Sequence, residues 1–131
     1  VPERDFELPD LDMILDTRWQ NGISLQGYTR DDSTITLYWQ TNATLNQSLR
    51  LFVQLFDAEG NLLRVQDGIP QNRPTTSWLT EEVISTSYDF SNFTLDDNHT
   101  LLIGWYDERT QERVRLDDGN DALTLPYPQS E

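Results

Sequence analysis

Hard oxygen donors gather most densely in "LDDGNDAL", where Asp117, Asp118, Asn120 and Asp121 surround Gly119. Carboxylate and amide oxygens in such a cluster are the ligands that Ca²⁺ takes. The same composition also makes a solvated Asp/Gly turn between strands, which is its commoner use. A second calcium-like run, "DAEGN", puts Asp57, Glu59 and Asn61 at alternate positions. An EF-hand loop needs its Gly directly after the third ligand, a terminal Glu and flanking helices. Here Gly60 precedes Asn61 and the flanks alternate like strands, so the match fails. A hairpin suits the residues better: Asp57 accepts from backbone amides, Ala58 and Glu59 occupy a type I turn, and Gly60 supplies the left-handed residue. The surrounding "LFDAEGNLLRVQDG" (55–68) is echoed by "WYDERTQERVRLDDG" (105–119), whose loop is one residue longer and lacks the Gly. The echo predicts two hairpins of similar build, one on each sheet.

Catalytic chemistry has little to work with. His99, in "DDNHTLL", is the single histidine, and a general base of that kind needs a nucleophile beside it. No G-x-S-x-G elbow, P-loop or H-E-x-x-H pattern occurs. Carboxylate pairs follow from 23 acidic residues and do not signal glycosidase chemistry. A hydrolase is therefore the weakest functional class. Aromatic rings offer more, because sugar-binding sandwiches stack pyranose faces on exposed indoles. Trp39 and Trp105 share faces with aliphatic residues and read as core. Trp19 and Trp78 lie in irregular, polar surroundings and are the candidates for a ligand platform, or for plugs at the ends of a sandwich.

The elements that must carry these residues are strands. "TITLYW" puts Ile35, Leu37 and Trp39 on one face, opposite Thr34, Thr36 and Tyr38. "LRLFVQLF" puts Leu49, Leu51, Val53 and Leu55 on one face, while Phe52 and Phe56 on the other mark a strand covered on both sides. "HTLLIGWY" sets Leu101, Ile103 and Trp105 against Leu102, Gly104 and Tyr106. Weaker alternation runs through "GISLQGY", "LLRVQ", "EVISTSYDF", "RVRL" and "ALTL". No apolar stripe of helical period persists for three turns. Residues 1–18 mix Pro with acids and show no sustained period, so they read as a linker joining the domain near Met13 or Ile14. Residues 19–126 form the domain, and 127–131 a tail. The expected fold is an all-β, antiparallel, immunoglobulin-like sandwich of about seven to nine strands.

Composition sets the limits. With 9 basic residues, all Arg, against 23 acidic ones, the formal charge is −14. That field repels nucleic-acid phosphates and anionic membrane surfaces. The absence of cysteine excludes disulfides and thiolate zinc sites and leaves the redox compartment open. "LLIGWY", the longest apolar run, is too short to span a bilayer, so no direct membrane insertion by this segment is expected. A chain starting at Val1 reads as a piece of a longer protein. The sequons at Asn42, Asn46, Asn92 and Asn98 read as polar turns.

The order "ISLQGY", "ITLYWQT", "LFVQLFDAEGNLLRVQDG", "PTTSW", a Val/Ile-rich strand and "LLIGWYDERTQERVRL" resembles an uncharacterised β-sandwich domain of bacterial, notably Chloroflexi-type, proteins. That domain often closes multi-spanning membrane proteins similar to glycosyltransferases that use lipid-linked sugars. The resemblance covers about residues 20–125, and its most specific piece is the strand, "FDAEG" hairpin and "QDG" combination. The family's second hairpin usually has Gly where this chain has Gln111. The resemblance implies an extracytoplasmic accessory or scaffold module of a larger membrane-associated protein, with no catalytic residues and no cofactor. The alternative is a module that binds a glycan or another cell-envelope ligand.

Overall fold

The computed structural model describes residues 6–91, 93 and 98–126. The tail, the first five linker residues and the sequon at Asn92 lie outside them. Among the described residues, eight strands make two antiparallel four-stranded sheets. In chain order they are β1 (Met13–Arg18), β2 (Ile23–Asp31), β3 (Thr34–Thr41), β4 (Leu49–Phe56), β5 (Leu62–Gly68), β6 (Ile84–Asp89), β7 (Thr100–Asp107) and β8 (Leu123–Pro126). The first sheet has the order β1-β2-β3-β6 and the second β5-β4-β7-β8. Among the described residues the only helical pieces are 3-10 turns at Pro70–Asn72 and Thr75–Ser77.

Alternation places the core as expected. Ile35, Leu37 and Trp39 of β3 and Leu49, Leu51, Val53 and Leu55 of β4 are buried, as are Leu101, Ile103 and Trp105 of β7. They face one another between the sheets in one cluster. β4 is covered on both faces, and side chains rather than a third layer do the covering. The Phe52 ring lies where a Cβ on Gly104 would sit, with Arg113 stacked 4.7 Å above it.

Three expectations need correction. Residues 13–18, read as linker, form β1, with Met13 opposite Tyr28 and Arg18 opposite Ser24. The register slips between Ile14 and Thr17, where Asp16 takes a left-handed φ of 47°. A bulge of that kind moves the later side chains to the opposite face, so no unbroken period two remains to be read. Second, "RVRL" makes only isolated bridges, Arg113 to Tyr106 and Leu116 to Trp19. Third, both echoed hairpins belong to the same sheet. Asp57 follows the end of β4, while Asp107 pairs with Leu49 at its start. The two loops therefore sit at opposite ends of the second sheet, about 25 Å apart at roughly 3.4 Å per residue.

Their build is nonetheless shared. Asp57 Oδ1 accepts from the amides of Glu59 at 3.0 Å and Asn61 at 2.8 Å. Asp107 Oδ1 does the same for Arg109 at 2.8 Å and Thr110 at 3.0 Å. Gly60 has φ 83°, and Gln111 takes the equivalent left-handed role at φ 67°. A side chain in that region costs about 1–2 kcal/mol relative to Gly. Gln111→Gly should therefore raise the unfolding free energy by about 0.5–1 kcal/mol, and Gly60→Val should lower it by about 1 kcal/mol or more, with Gly60→Asn milder. Denaturant titrations in which all three variants match the parent would remove left-handed strain as the loops' shared constraint.

On the outer face of the first sheet, the start of β1 and the residues just before it close over β2 at Gly27, where a Cβ would collide with the Met13 carbonyl oxygen and Leu11. Gly68 has open space around its Cβ position. Gly27→Ala should thus cost about 1–3 kcal/mol through overpacking, whereas Gly68→Ala should stay within about 0.5 kcal/mol. Equal midpoints for the two in urea would show that the covering residues yield freely.

Candidate functional site

The two indoles expected to offer a platform are inside the protein. Trp19 is 1% exposed and Trp78 4%. They continue a chain of ring contacts through the core: Trp19 to Trp39 at 5.5 Å, Trp39 to Trp105 at 5.1 Å and Trp105 to Trp78 at 5.6 Å between centroids. Their role is that of end plugs, and neither presents a face to a ligand. Irregular backbone around them hid this, because an indole's burial there depends on segments far away in sequence. Trp78 is held by the loop between β5 and β6. Buried Thr75 pins that loop to β4, donating to the Gln47 carbonyl at 2.7 Å and accepting from the Leu49 amide at 3.0 Å. Buried Glu82 pins it again, pairing with Arg73 at 2.7 Å and accepting from the Leu79 amide at 3.1 Å.

The acidic turn is likewise used locally. Asp118 accepts from the Asn120 amide at 2.9 Å, and Asp121 pairs with Arg113 at 3.4 Å. Among the described residues no three His, Asp or Glu side chains converge as metal ligands, Asp117, Asp118 and Asp121 included. These bonds are those of an Asp/Gly turn, in which Gly119 has φ 91°. Of the six expected site residues, Trp19 and Asp117 share a shallow depression of about 240 Å³, and Asp117 and Asp118 share another of about 220 Å³. The sequons at Asn42, Asn46 and Asn98 lie exposed outside the strands.

Larger recesses lie where the sheets' edges meet. On the β1–β8 side the sheets are joined by backbone bonds: the Gln20 amide to the Arg115 carbonyl at 2.8 Å and the Asp117 amide to the Arg18 carbonyl at 3.0 Å. On the opposite side β5 and β6 are bridged by side chains. Arg64 Nη1 donates to the Asp89 carbonyl at 2.6 Å and Gln71 Nε2 to the Ser85 carbonyl at 3.0 Å. Between these braces lies a cleft of about 330 Å³, polar at Gln66, Asp67 and Ser87 and apolar at Leu51, Pro70 and Tyr88. A second hollow of about 440 Å³ continues past Gln71 and Ser85 to Tyr38, Arg73 and Leu8.

Asp67 stands at the cleft's rim, with one carboxylate oxygen accepting from Arg50 Nε at 2.8 Å and the other from the Tyr106 hydroxyl at 2.6 Å. Sequence reasoning passed over Tyr38 and Gln71. Tyr38's place on the polar face of "TITLYW" was a usable signal; Gln71, in "IPQNRP", acquires its position only from the loop fold. Comparisons of the chain with protein-family models, with curated proteins and with solved structures find no match.

Several titrating groups report on these features. Backbone amides hold three carboxyls below the ordinary range: the Asn61 amide foremost for Asp57, the Ser91 amide for Asp89 and the Thr110 amide for Asp107. Burial pushes the Tyr88 hydroxyl up to about 12. The three depressed carboxyls stabilise the fold fully above about pH 4, and that contribution is lost as pH falls through their lowered values. The raised Tyr88 acts oppositely, costing stability as pH rises from about 10 towards its folded value. Asp107→Asn should flatten the acid limb of stability against pH, and Tyr88→Phe the alkaline limb. Unchanged slopes, measured by urea unfolding across pH, would rule out these groups as the sources.

Proposed function

We propose that this chain is a non-catalytic, extracytoplasmic accessory module of immunoglobulin-like topology serving a larger membrane-associated protein. The observation that carries this reading is the fate of its reactive-looking side chains. All four indoles are consumed in the core, and the acidic turn is consumed by its own amides and Arg113. The cleft residues include hydroxyls but no histidine to activate them. The strand order supports the topology: β2-β3-β6 and β4-β7-β8 follow the A-B-E and C-F-G groupings of immunoglobulin domains, with β5 paired to β4 instead of β6. No described helix is long and apolar enough to cross a membrane, which accords with a module borne by other parts of a protein. A second reading, recognition of a glycan or other envelope ligand, is favoured by the β5–β6 cleft and not by the indoles.

The scaffold reading predicts that acrylamide quenches native tryptophan fluorescence weakly and that millimolar Ca²⁺ leaves the melting temperature unmoved. Nitrophenyl esters and glycosides should not be turned over. A melting temperature that climbs with the logarithm of free Ca²⁺, and stops climbing in Asp118→Asn, would restore a metal role. Turnover abolished by Asp67→Asn would make the domain an enzyme.

A further inference from the structure

We propose that the open seam along β6 binds a neutral saccharide of two to three rings, with Ser87 and Gln66 gripping one ring and Tyr38 facing the next. The proposal rests on the recognition reading above and gives it a site and a ligand class. It starts from the ladder. The Phe90 amide donates to the Ser33 carbonyl at 2.9 Å, so the even positions of β6 and its extension bond to β3. By the alternation of antiparallel pairs, Ser85, Ser87 and Asp89 turn their backbone groups towards the seam. The carbonyls of Ser85 and Asp89 are taken by Gln71 and Arg64. Ser87 lies between them, with its N–H and C=O facing the cleft.

That arrangement selects against an added strand. Strand addition needs a run of open edge positions, and the two side-chain braces occupy those on either side of Ser87. A short ligand meets no such obstacle. The cleft's volume, about 330 Å³, lies at the lower end of the roughly 300–1,000 Å³ usual for small-molecule sites.

The lining defines the ligand's chemistry. Turned so that its oxygen accepts from Arg64 Nη2 at 2.8 Å and Nε at 3.2 Å, the Gln66 amide keeps its NH₂ as a donor. Ser87 adds one donor and one acceptor through its open backbone groups. Interleaved donors and acceptors suit hydroxyl groups, which act as both. An anion would enter the field of a chain of net charge −14. An apolar ligand would leave the amide and the Ser87 groups buried without partners. Leu51, Pro70 and Tyr88 give the C–H face of a sugar ring something to rest on. The adjoining hollow, reached past Gln71 and Ser85, presents the half-buried Tyr38 as an aromatic face for a second ring.

The test is titration of the ¹⁵N-labelled domain, followed by amide resonances, with cellotriose, maltotriose, xylotriose and tri-N-acetylchitotriose. Trigalacturonate serves as the anionic control and an extended Thr/Val hexapeptide as the strand control. At least one neutral trisaccharide should shift Ser85 and Ser87 and the side-chain amides of Gln66 and Gln71. Tyr38→Ala should weaken its binding about tenfold or more, the scale of one aromatic face lost. Gln71→Gly should do the same while relieving a backbone held at φ 54°, so its fold is safeguarded. Saccharide shifts that fall elsewhere, or that survive both variants, would overturn this site and leave the recognition reading intact. No response to any saccharide would overturn this site and the glycan form of the recognition reading together. Tighter binding of trigalacturonate would defeat the neutral ligand class, and peptide shifts along the whole of Ser85–Asp89 would make the seam a strand acceptor instead.

Discussion

The contact between Trp39 and Trp105 is the interaction on which the two sheets depend. Trp39 belongs to β3 in one sheet and Trp105 to β7 in the other, and their rings meet edge to face at 81°. Trp19 and Trp78 extend the stack from outside the strands, so four indoles tie the two sheets to the segment after β1 and to the β5–β6 loop. Trp39 donates to Thr86 Oγ1 at 3.2 Å, while the indole N–H groups of Trp19, Trp78 and Trp105 have no partner among the described residues. Burying roughly 200 Å² of indole at about 25 cal/mol per Å² contributes about 5 kcal/mol. That exceeds the roughly 1–3 kcal/mol cost of an unpaired N–H. Burial therefore wins at each ring. On the proposed immunoglobulin-like topology, Trp39 and Trp105 stand on the B and F strands, which antibody domains join by a disulfide. This chain has no cysteine, and indoles make the cross-sheet contact there.

Closing the two sides of the sandwich by different means has consequences for function. Where the segment around residues 113–119 lies against residues 18–20, backbone groups satisfy one another across the sheets, and the depressions beside them are smaller, about 240 and 220 Å³. Where β5 faces β6, long side chains reach across and hold the edges apart. Arg64 and Gln71 cap edge carbonyls that would otherwise be templates for pairing with another chain. The same bracing produces the polar cleft. A single device thus protects the edge and leaves a recess of hydrogen-bonding groups beside it.

The acidic character of the chain has a local explanation at several turns. Asp57, Asp89, Asp107 and Asp118 each accept from an amide two residues ahead. A carboxylate directed at nearby amides is oriented by its own loop, so abundance of Asp does not translate into a shared metal shell. What remains is a surface of one dominant sign, which favours solubility and disfavours anionic partners.

Period-two alternation is a local property, and it was written plainly in β3, β4 and β7, whose buried residues follow from spacing alone. The Asp57 hairpin was legible too, because a left-handed turn residue and an amide-accepting side chain act within five positions. Tertiary structure decided the rest. β1 was masked by its bulge at Asp16, and the segment after β7 by bonds to residues nearly a hundred positions away. The fate of Trp19 and Trp78 was undecidable locally, since either an exposed platform or a buried plug satisfies the same irregular flanks. The β6 seam arises only when the edges of two sheets, joined by a loop of no regular period, are brought face to face. Pairing and burial between distant segments depend on which surfaces meet, and no spacing along one strand encodes that.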